Sequence, residues 1–150
     1  MSTLQIRPIT AADHAAWLPL WQGYQRFYNA DIAPEVSALT WQRFLDSAEP
    51  MFAALAWQDG VAVGLVHWIF HRSCWTVSDY CYLQDLYVDP AVRANGAGKL
   101  MIDWLVAKMQ AEGWSRLYWN TKENNYRARG LYDKFTPRDP FVRYTVNRQA

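Results

Sequence analysis

Apolar side chains recur along this chain in two rhythms, one spaced by three and four residues and one of short runs broken by turn residues. Leu4, Ile6 and Pro8–Ile9 form a short opening strand, and Thr10 is a candidate N-cap for the adjoining helix. Between Ala11 and Tyr28, Trp17, Leu20, Trp21, Tyr24, Phe27 and Tyr28 fall on one side of that helix, which predicts an amphipathic segment with an aromatic face. Thr40 precedes Trp41, Phe44 and Leu45, predicting a second helix that runs to about Ala48 and is stopped by Pro50. Met51–Trp57 and Val61–Phe70 are apolar runs joined across Asp59-Gly60, a strong hairpin signal. Tyr80–Val88 is the next strand, closed by Pro90. A third helix is expected over Gly98–Glu112, with Leu100, Met101, Trp104, Leu105 and Met109 on its apolar stripe and Gly113 as its C-terminal cap. Leu117–Asn120 reads as a strand, Asn124–Phe135 as a helix and Phe141–Val146 as a last strand. Hairpin-joined strands followed by strands separated by helices predict an α/β (α+β mixed) fold, a mixed sheet flanked by helices.

A length of 150 residues is enough for one hydrophobic core, and the absence of repeats or linkers predicts one domain over 1–150. Lys and Arg exceed Asp and Glu by only 15 to 14, so no global positive field draws a nucleic acid or an anionic membrane. The first eight residues lack a signal-peptide layout and no apolar run approaches bilayer length, so a cytoplasmic protein is expected. Cys74 and Cys81 form no CxxC pair, which favours free thiols. Nine Trp and nine Tyr point to an aromatic-lined pocket or a subunit interface, and composition does not choose between them.

The stretch from Val88 to Leu100 runs from strand through a Gly-containing loop into a helix start. Unpaired N–H groups and the helix dipole favour an anion there, Gly96 and Gly98 allow close main-chain approach, and Arg93 and Lys99 add charge. A Walker loop is excluded because Leu100 follows Lys99 and position 94 is Ala. A dinucleotide fingerprint starting at Gly96 is excluded by Met101. The remaining pattern, R-x-x-G-x-G over Arg93–Gly98, also fits an ordinary turn into a helix when taken alone. About 30 residues on, Asn125, Ala128 and Tyr132 are spaced to place an amide, a small side chain and a phenol on one helix face, although the same spacing fits a core-facing stripe.

The two motifs together, Arg93–Gly98 and Asn125–Tyr132 with a strand between them, resemble the GNAT acetyltransferase superfamily. Leu83–Val88, Trp119-Asn120-Thr121, Leu131–Lys134 and Pro140–Tyr144 resemble its branch of yeast histone, polyamine and D-amino-acid acetyltransferases. That resemblance implies a GNAT-like sheet, mostly antiparallel, with a splayed parallel pair formed by Tyr80–Val88 and Leu117–Asn120. It implies acetyl-CoA as co-substrate with no metal, held by Leu86, Tyr87, Val88, the loop residues Arg93, Ala94, Asn95, Gly96, Ala97, Gly98 and Lys99, and by Asn120, Asn125, Ala128, Tyr132 and Lys134. Ala94 and Thr136 depart from the Gly common in the family.

The implied reaction carries acetyl directly to a primary amine, which needs a neutral amine, an oxyanion donor and a proton for the departing thiolate. Tyr132 resembles the general acid, since a phenol with a pKa of about 10 stays protonated at neutral pH. The polyamine-acetylating relatives carry Glu at the position of Gln84, and an amide orients a proton donor but does not take its proton. Asp85 is the alternative base, pointing away from Gln84's face unless a bulge turns it; a water chain to bulk is a rival. His67 and His71 share a strand face and are further candidates, though as a metal pair they lack a third ligand. Trp21, Tyr24, Tyr28, Asp31 and Gln84 are the expected acceptor contacts, against the plainer account in which the aromatic rings pack on the sheet. The expected acceptor is a small-molecule amine, with a protein lysine or N-terminus second. A non-catalytic acetyl-CoA sensor and a structural dimerisation domain are the alternatives, and the family resemblance implies a possible homodimer.

Overall fold

The computed structural model describes residues 3–92 and 96–149, which fall into two compact units, Met1–Asn120 and Thr121–Ala150. The first unit is built on a five-stranded sheet in the order β1-β2-β3-β4-β5, from β1 (Leu4–Pro8), β2 (Met51–Gln58), β3 (Val61–His71), β4 (Tyr80–Val88) and β5 (Arg116–Tyr118). The first three pairings are antiparallel and the β4–β5 pairing is parallel. Asp59 and Gly60, at φ 52° and 78°, turn β2 into β3 through the left-handed backbone that this dipeptide tolerates.

Alternation along β3 divides the sheet into two faces. Leu65 joins Leu55 under Trp17, Leu20 and Trp21 of α1 (His14–Phe27) and Trp41 of α2 (Pro34–Leu45). Its neighbours face α3 (Ala97–Glu112) instead: Gly64 lies against the Met101 side chain, and the Trp68 ring meets Trp104 at 5.5 Å. Gly113 closes α3 in the left-handed conformation, as expected. The second unit contains α4 (Tyr126–Tyr132). No helix among the described residues is long and apolar enough to cross a membrane, and Cys74 and Cys81 are both free. Burial, then Glu112, pushes the Cys81 thiol up to about 12, which keeps it an unreactive packing group.

Several boundaries differ from the sequence expectation. The first helical segment opens as a 3₁₀ turn, Ala11–Asp13, capped by Thr10 and closed by Asp13 Oδ2 accepting the Thr10 N–H at 2.8 Å. The second helix begins at Pro34, so Thr40 lies inside it. Its first inward residue is Ser37, whose hydroxyl accepts the Trp21 indole N–H at 3.0 Å, so the inward stripe begins with a polar group that hydrophobic spacing does not register. β5 ends at Tyr118, and Asn124–Phe135 contracts to the seven residues of α4. Phe141–Val146 has strand-like alternation but forms no strand, because alternation does not supply the neighbour that a strand's main chain needs.

Candidate active site

The register of β4 against β3 steps from Trp68↔Leu83 to His67↔Asp85, leaving Gln84 as the extra residue of a β-bulge. In an unbroken strand, residues 83 and 85 would share a face. Here Leu83 lies opposite Trp68 on the α3 side, and Asp85 lies opposite His67 on the side of α1 and α2. The bulge therefore turns Asp85 away from the α3 side of the sheet that Leu83 occupies, while Gln84 is exposed.

Asp85 is 7% exposed and its Oδ2 lies 2.9 Å from His67 Nδ1. The other ring nitrogen of His67, Nε2, accepts the Trp17 indole N–H at 3.0 Å. An indole is a donor only, so Nε2 presents a lone pair and Nδ1 carries the hydrogen that it donates to Asp85. The imidazole is fixed by rings as well: Trp21 at 5.1 Å, Phe44 at 4.7 Å and Trp17 at 6.1 Å.

Phenols surround the carboxylate. Tyr24 is half-buried, stacked on Trp21 at 5.4 Å and in contact with Tyr28 at 4.9 Å. Burial, then the charge of Asp85 and a hydrogen bond to it, raises the Tyr24 phenol well above its usual range. Burial and then Asp85 also raise Tyr28, and burial followed by Tyr82 raises Tyr118. An unfolded tyrosine releases its proton at about pH 10, while in the folded chain these hold theirs to higher pH. The folded state then binds more protons, so the stability they contribute is complete below about pH 10 and falls as pH rises above it. Tyr24→Phe is expected to flatten that fall, measured as the denaturant midpoint between about pH 9 and 11; an unchanged slope would sink the assignment.

Of the other expected acceptor contacts, Trp21 is 6% exposed and backs Tyr24 from within the core, while Asp31 is exposed on the loop after α1. Beyond Tyr82↔Tyr118 the parallel ladder stops, and Leu83–Val88 has no β5 partner among the described residues. At this opening the Tyr82 and Tyr118 rings lie 5.1 Å apart, Asn120 Nδ2 donates to Tyr82 Oη at 3.4 Å, and His71 Nε2 pairs with Tyr118 Oη at 2.8 Å. His67 and His71 thus serve separate networks, and no group of three metal-ligating side chains occurs among the described residues.

α3 starts at Ala97, with Gly96 at φ 84° as its N-cap and, among the described residues other than its chain neighbours, no atom within 4 Å of where a Cβ would stand. Lys99 is paired with Asp103 at 2.8 Å. Arg93, Ala94 and Asn95 lie outside the described residues. In the second unit, Asn125 is the N-cap of α4, its Oδ1 accepting the Ala128 N–H at 3.3 Å. Tyr132 ends that helix half-buried, and Lys134 lies beyond it, exposed.

The acetyltransferase (GNAT) family model matches residues 16–136 of the chain. The D-amino-acid N-acetyltransferase HPA3 of Saccharomyces cerevisiae is 33% identical over 144 residues, 95% of this chain and 89% of the yeast protein. The ribosomal-protein-alanine N-acetyltransferase of Brucella melitensis biovar Abortus 2308 superposes with a TM-score of 0.82 at 22% identity, covering 97% of this chain and all of that one. An aminoglycoside acetyltransferase from an uncultured soil metagenomic sample does so at 0.83 and 17%, covering 97% of each chain.

Proposed function

This chain belongs to the GNAT acetyltransferase family and is an acyltransferase, and from that premise we propose that it carries the acetyl group of acetyl-CoA to the primary amine of a small molecule. The observation that carries the acceptor reading is Asp85, a buried carboxylate among the phenols of Tyr24 and Tyr28. Such a setting attracts an ammonium group and can take its proton. One buried charge suits one ammonium, in keeping with a small amine or amino acid, and the yeast relative is named for D-amino acids.

Asp85 is the general base in this reading, with the exposed Gln84 amide orienting the acceptor. The freed amine attacks the thioester carbonyl carbon, the carbon–sulfur bond breaks as Tyr132 gives its proton to the departing thiolate, and the nitrogen's surplus proton passes through solvent to restore the phenol. The chain offers groups suited to acetyl-CoA: the edge of Leu86, Tyr87 and Val88, which has no β5 partner among the described residues, the glycine-opened start of α3 at Gly96, Ala97, Gly98 and Lys99, and Asn120. Arg93, Ala94 and Asn95, with Asn125, Ala128 and Lys134 of the second unit, complete the proposed set. The family match spans both units, in keeping with one catalytic domain. The free thiols fit a cytoplasmic enzyme. Phe141, Val142, Tyr144 and Val146, each at least 76% exposed, fit a homodimer contact.

The test is thiol release from acetyl-CoA against polyamines, amino acids of both hands, aminoglycosides and lysine peptides. Turnover is expected on a small amine, with Tyr132→Phe lowering kcat by about 10²-fold while CoA still binds. Turnover confined to lysine peptides would replace the acceptor class. CoA binding with no turnover on any amine would leave a sensor.

A further inference from the structure

We propose that His67 and Trp17 form a positioning pair for the general base: Trp17 fixes the tautomer of His67, and His67 holds one oxygen of Asp85 so that the other serves the acceptor. The inference rests on the reading of Asp85 as the base; it gives His67, a further candidate from the sequence, a positioning role and brings in Trp17 beside it. Asp85 Oδ2 is engaged by Nδ1–H at 2.9 Å, and a carboxylate so tethered keeps a single orientation as the acceptor's proton arrives.

Three observations support a built device over a packing accident. The bulge at Gln84 places Asp85 directly opposite His67 in the β3–β4 register. His67 and Trp17 are 2% and 0% exposed, and both ring nitrogens of His67 are engaged, one accepting and one donating. The groups around the pair are rings: Trp21 of α1 and Phe44 of α2 pack on the imidazole. The ionisable groups near Asp85 are Tyr24 and Tyr28 from α1, with Tyr82 of β4 acting on Tyr24.

The test separates positioning from space-filling. In His67→Asn the side-chain amide stands as many bonds from Cα as Nδ1, so it keeps a donor for Asp85 but leaves a void. His67→Leu fills more of the space and donates nothing. On a strongly basic amine at about pH 7, kcat/KM is expected to fall about 10- to 100-fold in the Leu variant and only a few-fold in the Asn variant. On a weakly basic amine, already neutral at that pH, both should lie close to wild type. Both variants should melt below wild type, Asn through the void it leaves and Leu through the buried carboxylate left without its donor, so activities are compared at a temperature where both are folded. If the Leu variant is at least as active as the Asn variant, the positioning role is overturned while the base reading stands. If Asp85→Asn retains wild-type activity in the same assay, both fall. A second arm uses the unaltered protein: ¹⁵N spectra of the His67 ring at about pH 7 should show hydrogen on Nδ1, and hydrogen on Nε2 instead would overturn the proposal.

Discussion

Asp85→Asn is expected to lower kcat/KM for a strongly basic amine by about 10²- to 10⁴-fold at neutral pH, the usual range for removing a positioned general base. The substitution preserves size, and its amide oxygen can still accept the N–H from His67 Nδ1, so the thermal midpoint should stay near wild type. The loss should narrow as pH rises toward the acceptor's own pKa, because a growing fraction of the amine then arrives already neutral. A profile of kcat/KM against pH for both proteins checks this. A neutral-pH loss under about threefold would remove Asp85 as the base and favour a water chain to bulk solvent.

Trp17→Ala should give the largest loss of stability. Trp17 is fully buried and touches both helices and the sheet through Trp21 at 6.0 Å, Trp41 at 5.0 Å, Phe44 at 6.1 Å and His67 at 6.1 Å. Removing so large a ring from a packed core costs about 3–5 kcal/mol. The lost donor also leaves His67 Nε2 buried without its partner, worth a further ~1–3 kcal/mol. In a chain of this size the midpoint should fall by on the order of 10 °C or more. Trp17→Phe keeps most of the ring volume and should lose distinctly less. Similar losses for the two variants would mean that the indole N–H, rather than the packing, carries the effect.

The sheet and its hairpin were legible because their signals are local. Asp59-Gly60 fixes a turn without help from the rest of the chain, and Tyr80–Val88 is bounded by its own Pro90. The start of α2 was not, because Ser37 is inward-facing only through the bond it makes with Trp21, sixteen residues earlier. At the site, Asp85 and the phenols of Tyr24 and Tyr28 could be named from the sequence, but their assembly could not. The bulge that turns Asp85 depends on how β4 lies against β3, and neither strand alone encodes that register. One signal for His67 was available: a His and an Asp in apolar strands both need a polar partner once buried, and each is the other's simplest solution.

The single unpaired residue in β4 also bears on how members of this family are compared. Two chains that carry an acid at the position of Gln84 and of Asp85 differ by one step in sequence, yet they need not present that acid in the same direction. Insertion or deletion of one residue at this point would exchange which of the neighbouring side chains face α1 and α2 while leaving the strand's composition almost unchanged. Matching bases between relatives therefore requires the ladder to be aligned first and the letters second.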